Sequence, residues 1–479
     1  MQVILNLKNK SEDIMKITIA QIKYKSANFE YNYENIIKNY DKNSGLMIYP
    51  SLEICNAMDF DSNYQNKKKD FYEKLCKYFS ENTVLIGDKL IKNGKLHNLL
   101  NGYFDLGGQK IYVSDEFKDN IECDLYILAK NRYYAMQSYE NLIENIVTTA
   151  NFVNVNAIML ADENVYAGQS FAKNSKNEII AQLPLLEEKI VSLNFENTEK
   201  LTKNITEEEI FKVTTFAMKE YCENTGFKKV VLGLSGGIDS ALTAVLAAEA
   251  MGAENVYAIM LPSKYSSDGS IKDSEKLVKN IGINVKTTPI SPLFDCFMEN
   301  VAKESKMDLA EENLQSRLRG VILMFNSNRE NSLLLSTGNK SEVACGYGTL
   351  YGDMCGGLNV IADLTKTNVY KLSNWINRNG EVIPQEIIDK APSAELRPNQ
   401  KDQDSLPEYD ILDKIIEDYI ENQISYDELI SKYDKSTVDK TLKLIYRAQF
   451  KRNQACLGIR LTENAFCANV KLPVLQACY

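Results

Sequence analysis

From Lys229 to Thr337, continuous apolar runs alternate with helix-like stretches. "KVVLGL", "NVYAIMLP", "INVKTTPI" and "SLLLST" read as strands; "DSALTAVLAAEAMG", "SIKDSEKLVKNIG" and "LAEENLQSRLRGVILMFNSN" read as helices. Unbroken apolarity, rather than in-out alternation, means strands buried on both faces. That confines this half to a doubly wound parallel sheet covered by helices. Such sheets present ligands at the carboxyl ends of their strands.

One of those ends carries "LGLSGGIDS", residues 232–240. Glycine permits positive φ and close backbone approach. Loop N–H groups and a helix start then make an anion site. G-x-x-x-x-G-K-[ST] is absent and no lysine follows the glycines, so this is not the loop that holds a γ-phosphate. Asp239 offers an oxygen ligand for Mg²⁺, and Ser235 and Ser240 offer hydroxyls to phosphate oxygens. By itself the stretch is also compatible with a plain strand-to-helix turn.

Further stretches add polar groups. In "ENLQSRLRG" (312–320), Asn313 and Arg317 share one helix face, as do Gln315 and Arg319. "STGNKSEVACGYGTLYGDMCGG" (336–357) is a long loop inside a compact domain, a placement that favours function. Lys366 starts a helix, where the dipole does not favour a cation, so an anion is expected beside it. "KAPSAELRPNQKDQDSLPEYDILD" (390–413) is polar and Pro-rich.

The first half shows shorter β-like runs, among them "KITIAQI", "GLMIYPSL", "NTVLIGD" and "CDLYILA", with a hairpin turn at "DLGGQ". "QSYENLIENIVTTANFVN" reads as its clearest helix. Together these imply a layered α/β domain. The polar stretch 194–212 reads as a linker into a helix with Thr206 and Glu209 as a capping box. The domains are therefore set at 15–195 and 206–479, with residues 1–14 as a loose extension.

Composition excludes several classes. The 479 residues carry a net charge of −10, which argues against a nucleic-acid binder. The ten cysteines form no C-x-x-C pair, and reduced thiols in a cytoplasm are expected. His97 is the only histidine, so no multi-histidine metal site can form, and it reads as structural. No apolar stretch is long enough to span a bilayer and no signal peptide is read, so no membrane partner is expected.

The Ser-Gly-Gly-Ile-Asp-Ser junction resembles the loop of ATP pyrophosphatases. With the stretches above, residues 206–479 closely resemble the NAD synthetase family. The resemblance implies that ATP adenylates the carboxylate of deamido-NAD, pyrophosphate leaves, and ammonia displaces AMP to give NAD. Carried over by motif, Gly233, Leu234, Ser235, Gly236, Gly237, Ile238, Asp239 and Ser240 would hold the ATP phosphates. Thr337 would contact ATP. Asp239 and Glu342 would ligate Mg²⁺. Lys366 and Ser393 would contact phosphate oxygens in the transition state, with Asp239, Lys366 and Ser393 as the catalytic set. Asn313, Arg317, Glu342, Tyr347, Gly348, Thr349, Leu350, Asp353 and Lys451 would bind deamido-NAD. Leu261 stands where the family often has methionine, in the expected adenine pocket. A homo-oligomer is expected.

Residues 15–195 resemble, more loosely, a nitrilase-type amidase, an α/β sandwich that in many NAD synthetases releases ammonia from glutamine. That chemistry uses a cysteine nucleophile, a glutamate base and a lysine for the oxyanion. Here the base position reads Pro50-Ser51-Leu52. The lysine segment between "GGQKIY" and "VSDEF" is missing, although Lys110 is nearby, and so is the strand that would carry the cysteine. The expectation is an ammonia-using enzyme whose first domain is an inert pseudo-amidase, with ammonia free or supplied by a separate amidotransferase. The alternatives are a glutamine-using enzyme with a rearranged site built on Glu53 and Cys55 or Cys123, and a catalytically dead scaffold. Both cysteines are equally compatible with simple packing.

Overall fold

The computed structural model describes residues 15–52, 60–302 and 308–475. They form two compact units: the described residues of 15–132, 142–159 and 166–203 in the first, and those of 133–141, 160–165 and 204–475 in the second. Among the described residues no helix is long and apolar enough to cross a membrane.

The first unit holds two six-stranded sheets. One runs in the order Lys189–Leu193, Ile17–Gln21, Leu46–Tyr49, Thr83–Ile86, Lys89–Lys92, Lys95–Asn98. The other runs Ile179–Gln182, Phe171–Lys173, Asn151–Asn154, Leu125–Leu128, Gln109–Ser114, Gly102–Leu106. In each sheet three central strands are parallel and the rims antiparallel. One apolar cluster joins Ile19, Ile48 and Leu85 of the first sheet to Ile111, Ile127 and Val153 of the second. Each such buried side chain contributes roughly 1.5–3 kcal/mol. Helices Phe29–Lys38 and Ser62–Tyr78 pack through Phe29 against Tyr64 and Phe71, at 5.3 and 5.5 Å between ring centres.

The hairpin turn forms as read. Gly107 and Gly108 take φ of 60° and 78° between the paired Leu106 and Gln109, which only glycine does without strain. The long helix does not. It spans Ser138–Asn145 only, and Asn151–Asn154 is a strand. The β-branched run Ile146–Thr149 disfavours helix. The buried Lys173 closes its end by donating from Nζ to the Ile143 and Ile146 carbonyls, at 3.0 and 2.6 Å. The burial of Phe152 and Val153 then outweighs helical periodicity.

The second unit is the doubly wound fold. Its six parallel strands run Asn284–Thr287, Val256–Met260, Val230–Gly233, Leu333–Leu335, Leu358–Asn359, Leu457–Gly458. In chain order this is 3-2-1-4-5-6. The strand order reverses between Val230–Gly233 and Leu333–Leu335, the point where such sheets open a crevice. The last two strands have only two residues each, too few for a periodicity to show. The Thr206–Glu209 capping box is not made. The helix Thr206–Thr225 has Ile205 at its cap, so Thr206 already lies inside it. Glu209 instead accepts from Asn204 Nδ2 at 2.7 Å and from the Tyr134 hydroxyl at 3.3 Å.

A layer of C-terminal helices, Tyr409–Ile416, Tyr426–Lys432 and Lys435–Arg447, packs around Leu412, Leu429, Leu442 and Ile445. The same cluster takes in Ala344 and Cys345 of the short helix Lys340–Cys345. This packing sets where Glu342 and Tyr409 stand relative to the sheet.

Candidate active site

The first strand of the second unit ends at Gly233 and the helix Ile238–Met251 begins five residues later. Gly236 makes the turn at φ 80°. A Cβ there would lie 2.6 Å from the Ser270 carbonyl oxygen, so the loop is pressed against its neighbour. Ser235 and Ser240 hydroxyls are 3.1 Å apart, and Ser240, which is buried, donates to the Gly237 carbonyl at 3.0 Å. Ser240 therefore braces the loop, its proton committed to Gly237. No side chain caps the helix, so its first N–H groups stay open to an anion.

Gly236→Ala is expected to lower the thermal midpoint by several degrees, from about 1–3 kcal/mol of backbone strain plus the clash with Ser270. Gly237→Ala is the contrast: φ is −94° and an added Cβ meets only Ser235 Oγ at 3.4 Å. Its midpoint should stay close to that of the parent in the same melt.

Asp239, in the first turn, accepts from Asn339 Nδ2 at 2.8 Å and from Lys366 Nζ. Asn339 caps the helix Lys340–Cys345 reciprocally with Glu342, whose Oε2 accepts from Asn339 N at 3.1 Å. Glu342 Oε1 stands 3.8 Å from Lys366 Nζ. Lys366 opens the helix Lys366–Ile376 and is 2% exposed. The anion that its position demanded is thus Asp239, with Glu342 behind it. Burial alone would discharge Lys366, but the Asp239 and Glu342 carboxylates reverse that and hold its ammonium above the ordinary lysine range. Burial, then the charge of Asp239, pushes the Glu342 carboxyl well above its ordinary value.

A second group gathers on the helix Leu309–Glu330. Asn313 Oδ1 accepts from Thr349 Oγ1 at 2.7 Å, and Arg317 Nε donates to the Leu350 carbonyl at 3.2 Å. Asp353 Oδ1 accepts from Ser316 Oγ at 2.9 Å and from Thr349 N at 2.7 Å. Lys451 Nζ donates to the Gly346 and Gly348 carbonyls, both at 2.8 Å. The 346–353 loop is therefore pinned from three sides, and Asn313, Arg317, Gly348, Thr349, Leu350, Asp353 and Lys451, expected to bind one substrate, lie together, whereas Glu342 stands with Lys366.

Other expected residues join less directly. Thr337 is half-buried in the loop after Leu333–Leu335. Ser393 accepts from Glu395 N at 3.2 Å, a contact within its own segment. Leu261 packs in the core with Val231, Ile259 and Ile322, and its carbonyl accepts from Arg319 Nε at 3.1 Å.

Two residues were missed. Asp402 is 3% exposed and accepts from the Tyr409 hydroxyl at 2.8 Å, and Lys366 Nζ lies 5.4 Å from the centre of the Tyr409 ring. By residue type nothing separates Asp402 from Glu395, Asp404, Glu408 or Asp410 in the same polar stretch. Only its burial does.

In the first unit, Ser51 follows the strand Leu46–Tyr49, and its carbonyl accepts from Asn131 Nδ2 at 2.6 Å. Glu53 and Cys55 lie outside the described residues. Lys110 Nζ stacks 4.5 Å over the Tyr103 ring within the hairpin. Cys123 precedes the strand Leu125–Leu128, at the end opposite the carboxyl edge. Burial and then Asp124 push its thiol up to about 11, the reverse of an activated nucleophile.

Residues 210–455 match the family model described as NAD synthase. The glutamine-dependent NAD(+) synthetase of Synechocystis sp. is 41% identical over 389 residues, 77% of this chain and 70% of that protein. The enzyme of the same name from Acinetobacter baylyi is 39% identical over 377 residues, 75% of this chain and 69% of that one. The solved structure of glutamine-dependent NAD+ synthetase from Acinetobacter baumannii in complex with ADP superposes with a TM-score of 0.71 at 28% identity, covering 96% of this chain and 98% of that chain. These likenesses overturn the expectation of an ammonia-only enzyme with an inert first domain, and with it the separate amidotransferase. The three departures from the amidase pattern, at Ser51, in the lysine segment and in the cysteine strand, weigh less than relatives that share the sequence across most of both chains and carry a glutamine-dependent name.

Proposed function

This chain belongs to the NAD synthase family, and we propose that it makes NAD from deamido-NAD and ATP with glutamine as the nitrogen donor. It is a ligase that forms a carbon–nitrogen bond. The observation that carries the reading is Lys366 Nζ, buried between Asp239 and Glu342 at the mouth of the Ser-Gly-Gly loop.

A carboxylate is a poor electrophile. Its oxygen attacks the α-phosphorus of ATP, and pyrophosphate departs with the bond electrons, leaving an acyl-adenylate. Loop N–H groups and the Lys366 cation meet the negative charge that accumulates on phosphorus and pyrophosphate. Ammonia then attacks the acyl carbon and AMP leaves. Asn313, Arg317 and the 346–353 loop would orient deamido-NAD, with Lys451 fixing the loop. Asp239 and Glu342 suit Mg²⁺, a hard cation that takes oxygen ligands: two carboxylates face one ammonium, and burial, then the charge of Asp239, raises the Glu342 carboxyl. Bound there, Mg²⁺ would supply charge neutralisation to the phosphates. Thr337 and Ser393 would complete the contacts to ATP.

The first unit supplies ammonia from glutamine on this reading. Of the two thiols weighed, Cys123 sits at the wrong strand end with a raised pKa, which leaves Cys55. The test is NAD formation from deamido-NAD, ATP and Mg²⁺ with glutamine or ammonium as sole donor. Both donors should support turnover. Cys55→Ala should lose at least about 10²-fold with glutamine and keep its rate with ammonium, and Cys123→Ala should keep both. Turnover of the parent enzyme with ammonium but none with glutamine would sink the glutamine assignment.

A further inference from the structure

One cation near this site has no task in the mechanism above. Arg319 shares a face of the helix Leu309–Glu330 with Gln315 and is half-buried. Its Nε donates to the Leu261 carbonyl at 3.1 Å, and neither terminal nitrogen has a hydrogen-bond or ion-pair partner among the described residues. The buried Arg452 shows how this chain treats a structural guanidinium: Nη1 donates to the Ala344 carbonyl at 2.6 Å and Nη2 to the Ile445 carbonyl at 2.7 Å. Burial pulls the Arg319 guanidinium below the ordinary arginine range, which the nearby Asp353 and Glu395 carboxylates oppose. A charge partly stripped of water, with an idle fork of donors, is costly unless an anion comes to meet it.

Its place in the fold says which anion. The helix ends at Glu330, just before the strand Leu333–Leu335, so it runs back along the parallel sheet. Leu323 packs on Gly233, the last residue of the strand before the Ser-Gly-Gly loop: a Cβ there would lie 3.2 Å from Leu323 Cδ1. Arg319, one turn earlier, stands about 5.4 Å further along the axis, past the carboxyl ends of the strands. Leu261, which it grips, directly follows the neighbouring strand Val256–Met260. Gln315, a further turn along, donates from Nε2 to the Leu396 carbonyl at 3.0 Å and ties the segment with Ser393 to the same face. The two neighbouring carboxylates are already taken. Asp353 accepts from Ser316 and Thr349, and Glu395 from Ser267, Ser270 and Lys390. Asp353 belongs to the group that would hold deamido-NAD and Glu395 to the segment that would contact ATP, so the guanidinium adjoins both. Adenylation joins the two substrates at the α-phosphorus.

We propose that Arg319 is a catalytic residue whose terminal N–H groups hold the non-bridging oxygens of the ATP α-phosphate while the carboxylate attacks. The carboxylate oxygen forms the new bond to the α-phosphorus, the bond from that phosphorus to the bridging oxygen breaks, and pyrophosphate leaves with the electron pair. Arg319 keeps all its protons. Its planar fork matches two phosphate oxygens at once, which a lysine does not. This assignment rests on the NAD synthetase reading and deepens it.

The test is exchange of labelled pyrophosphate into ATP, driven by deamido-NAD in the full chain without a nitrogen donor. Arg319→Met keeps an unbranched stem and removes the fork. At saturating substrates its exchange should fall about 10²–10³-fold, the usual cost of a lost transition-state donor. Its KM for deamido-NAD should stay within about threefold. Arg319→Lys should recover at least about tenfold of the loss, since the charge remains without the fork. A second reading comes from the two α-thio diastereomers of ATP. The parent should favour one, and that preference should shrink at least about threefold in Arg319→Lys, a coupling that a purely structural residue does not produce. Should Arg319→Met fail to fold, Arg319→Lys and its diastereomer preference decide the matter. Exchange in a folded Arg319→Met within about threefold of the parent, or an unchanged diastereomer preference in Arg319→Lys, would overturn the proposal. A change confined to the KM for deamido-NAD would put the guanidinium on that substrate and overturn it too. Failure of pyrophosphate exchange in the parent enzyme would instead remove the NAD synthetase reading, and this contact with it.

Discussion

Lys366→Met should lower NAD formation by about 10³-fold or more while leaving the molecule folded. Methionine keeps the unbranched length of the side chain and deletes its charge. In the native protein that charge neutralises Asp239 and faces Glu342, where phosphate charge is proposed to develop. Its loss acts twice: the developing charge loses its counter-ion, and two buried carboxylates lose theirs. The second effect has a signature of its own. Glu342, whose carboxyl is already pushed up by burial and then by the charge of Asp239, should then take up a proton. Deamido-NAD-dependent pyrophosphate exchange should fall with NAD formation, because adenylation itself is impaired. A variant that kept pyrophosphate exchange within tenfold of the parent would place the lysine outside the chemistry.

Lys340→Met should cost about 3–5 kcal/mol of stability, the loss typical of breaking a buried ion pair from one side. Lys340 is 1% exposed and lies 2.8 Å from Asp363, beside Glu421, and 2.9 Å from the Thr462 hydroxyl. Asp363 is 1% exposed and also accepts from Leu461 N, Thr462 N and Thr462 Oγ1, each at 2.8 Å. Removing the ammonium leaves Asp363 and Glu421 charged and facing each other in a dry place. For a unit of this size the thermal midpoint should drop by about 10 °C. A drop of less than two degrees would mean that the carboxylates find other partners. Activity should suffer as well, since the helix that begins at Lys340 carries Glu342.

What was readable in the sequence followed from local rules. The strand-to-helix turn at 233–238 shows because continuous apolarity, two glycines and a helical stretch each leave a local mark. The Asn313–Arg317 face shows because i,i+4 spacing on a helix is a fixed geometry, and both side chains do reach the 349–350 loop. Lys366 could even be assigned an unseen anion, because a lysine at a helix start is out of place unless something negative is near. Where local rules competed with packing, they failed. The Thr206 capping box lost to the register of its helix, and the helical reading of 146–154 lost to a strand between two others. The first domain shows another limit: its departures from the amidase signature were legible, but their consequence was not. Relatedness across most of the chain overrules even three departures from the amidase pattern read together.

The sequence by itself thus determined the fold class of the second half, the glycine turn from strand to helix and the family, because each is written in contiguous residues. Only the tertiary structure decided which acids matter. Asp239, Glu342 and Asp402 come from segments 60 to 163 residues apart, and a charge acquires its role from burial and from the partners that burial leaves it. Asp402 and Asp404 are alike in sequence. One is sealed beside Lys366 and accepts from the Tyr409 hydroxyl, while the other meets Arg397 at 2.9 Å at the surface. Water screens the second and not the first, and that difference exists only once the chain has folded.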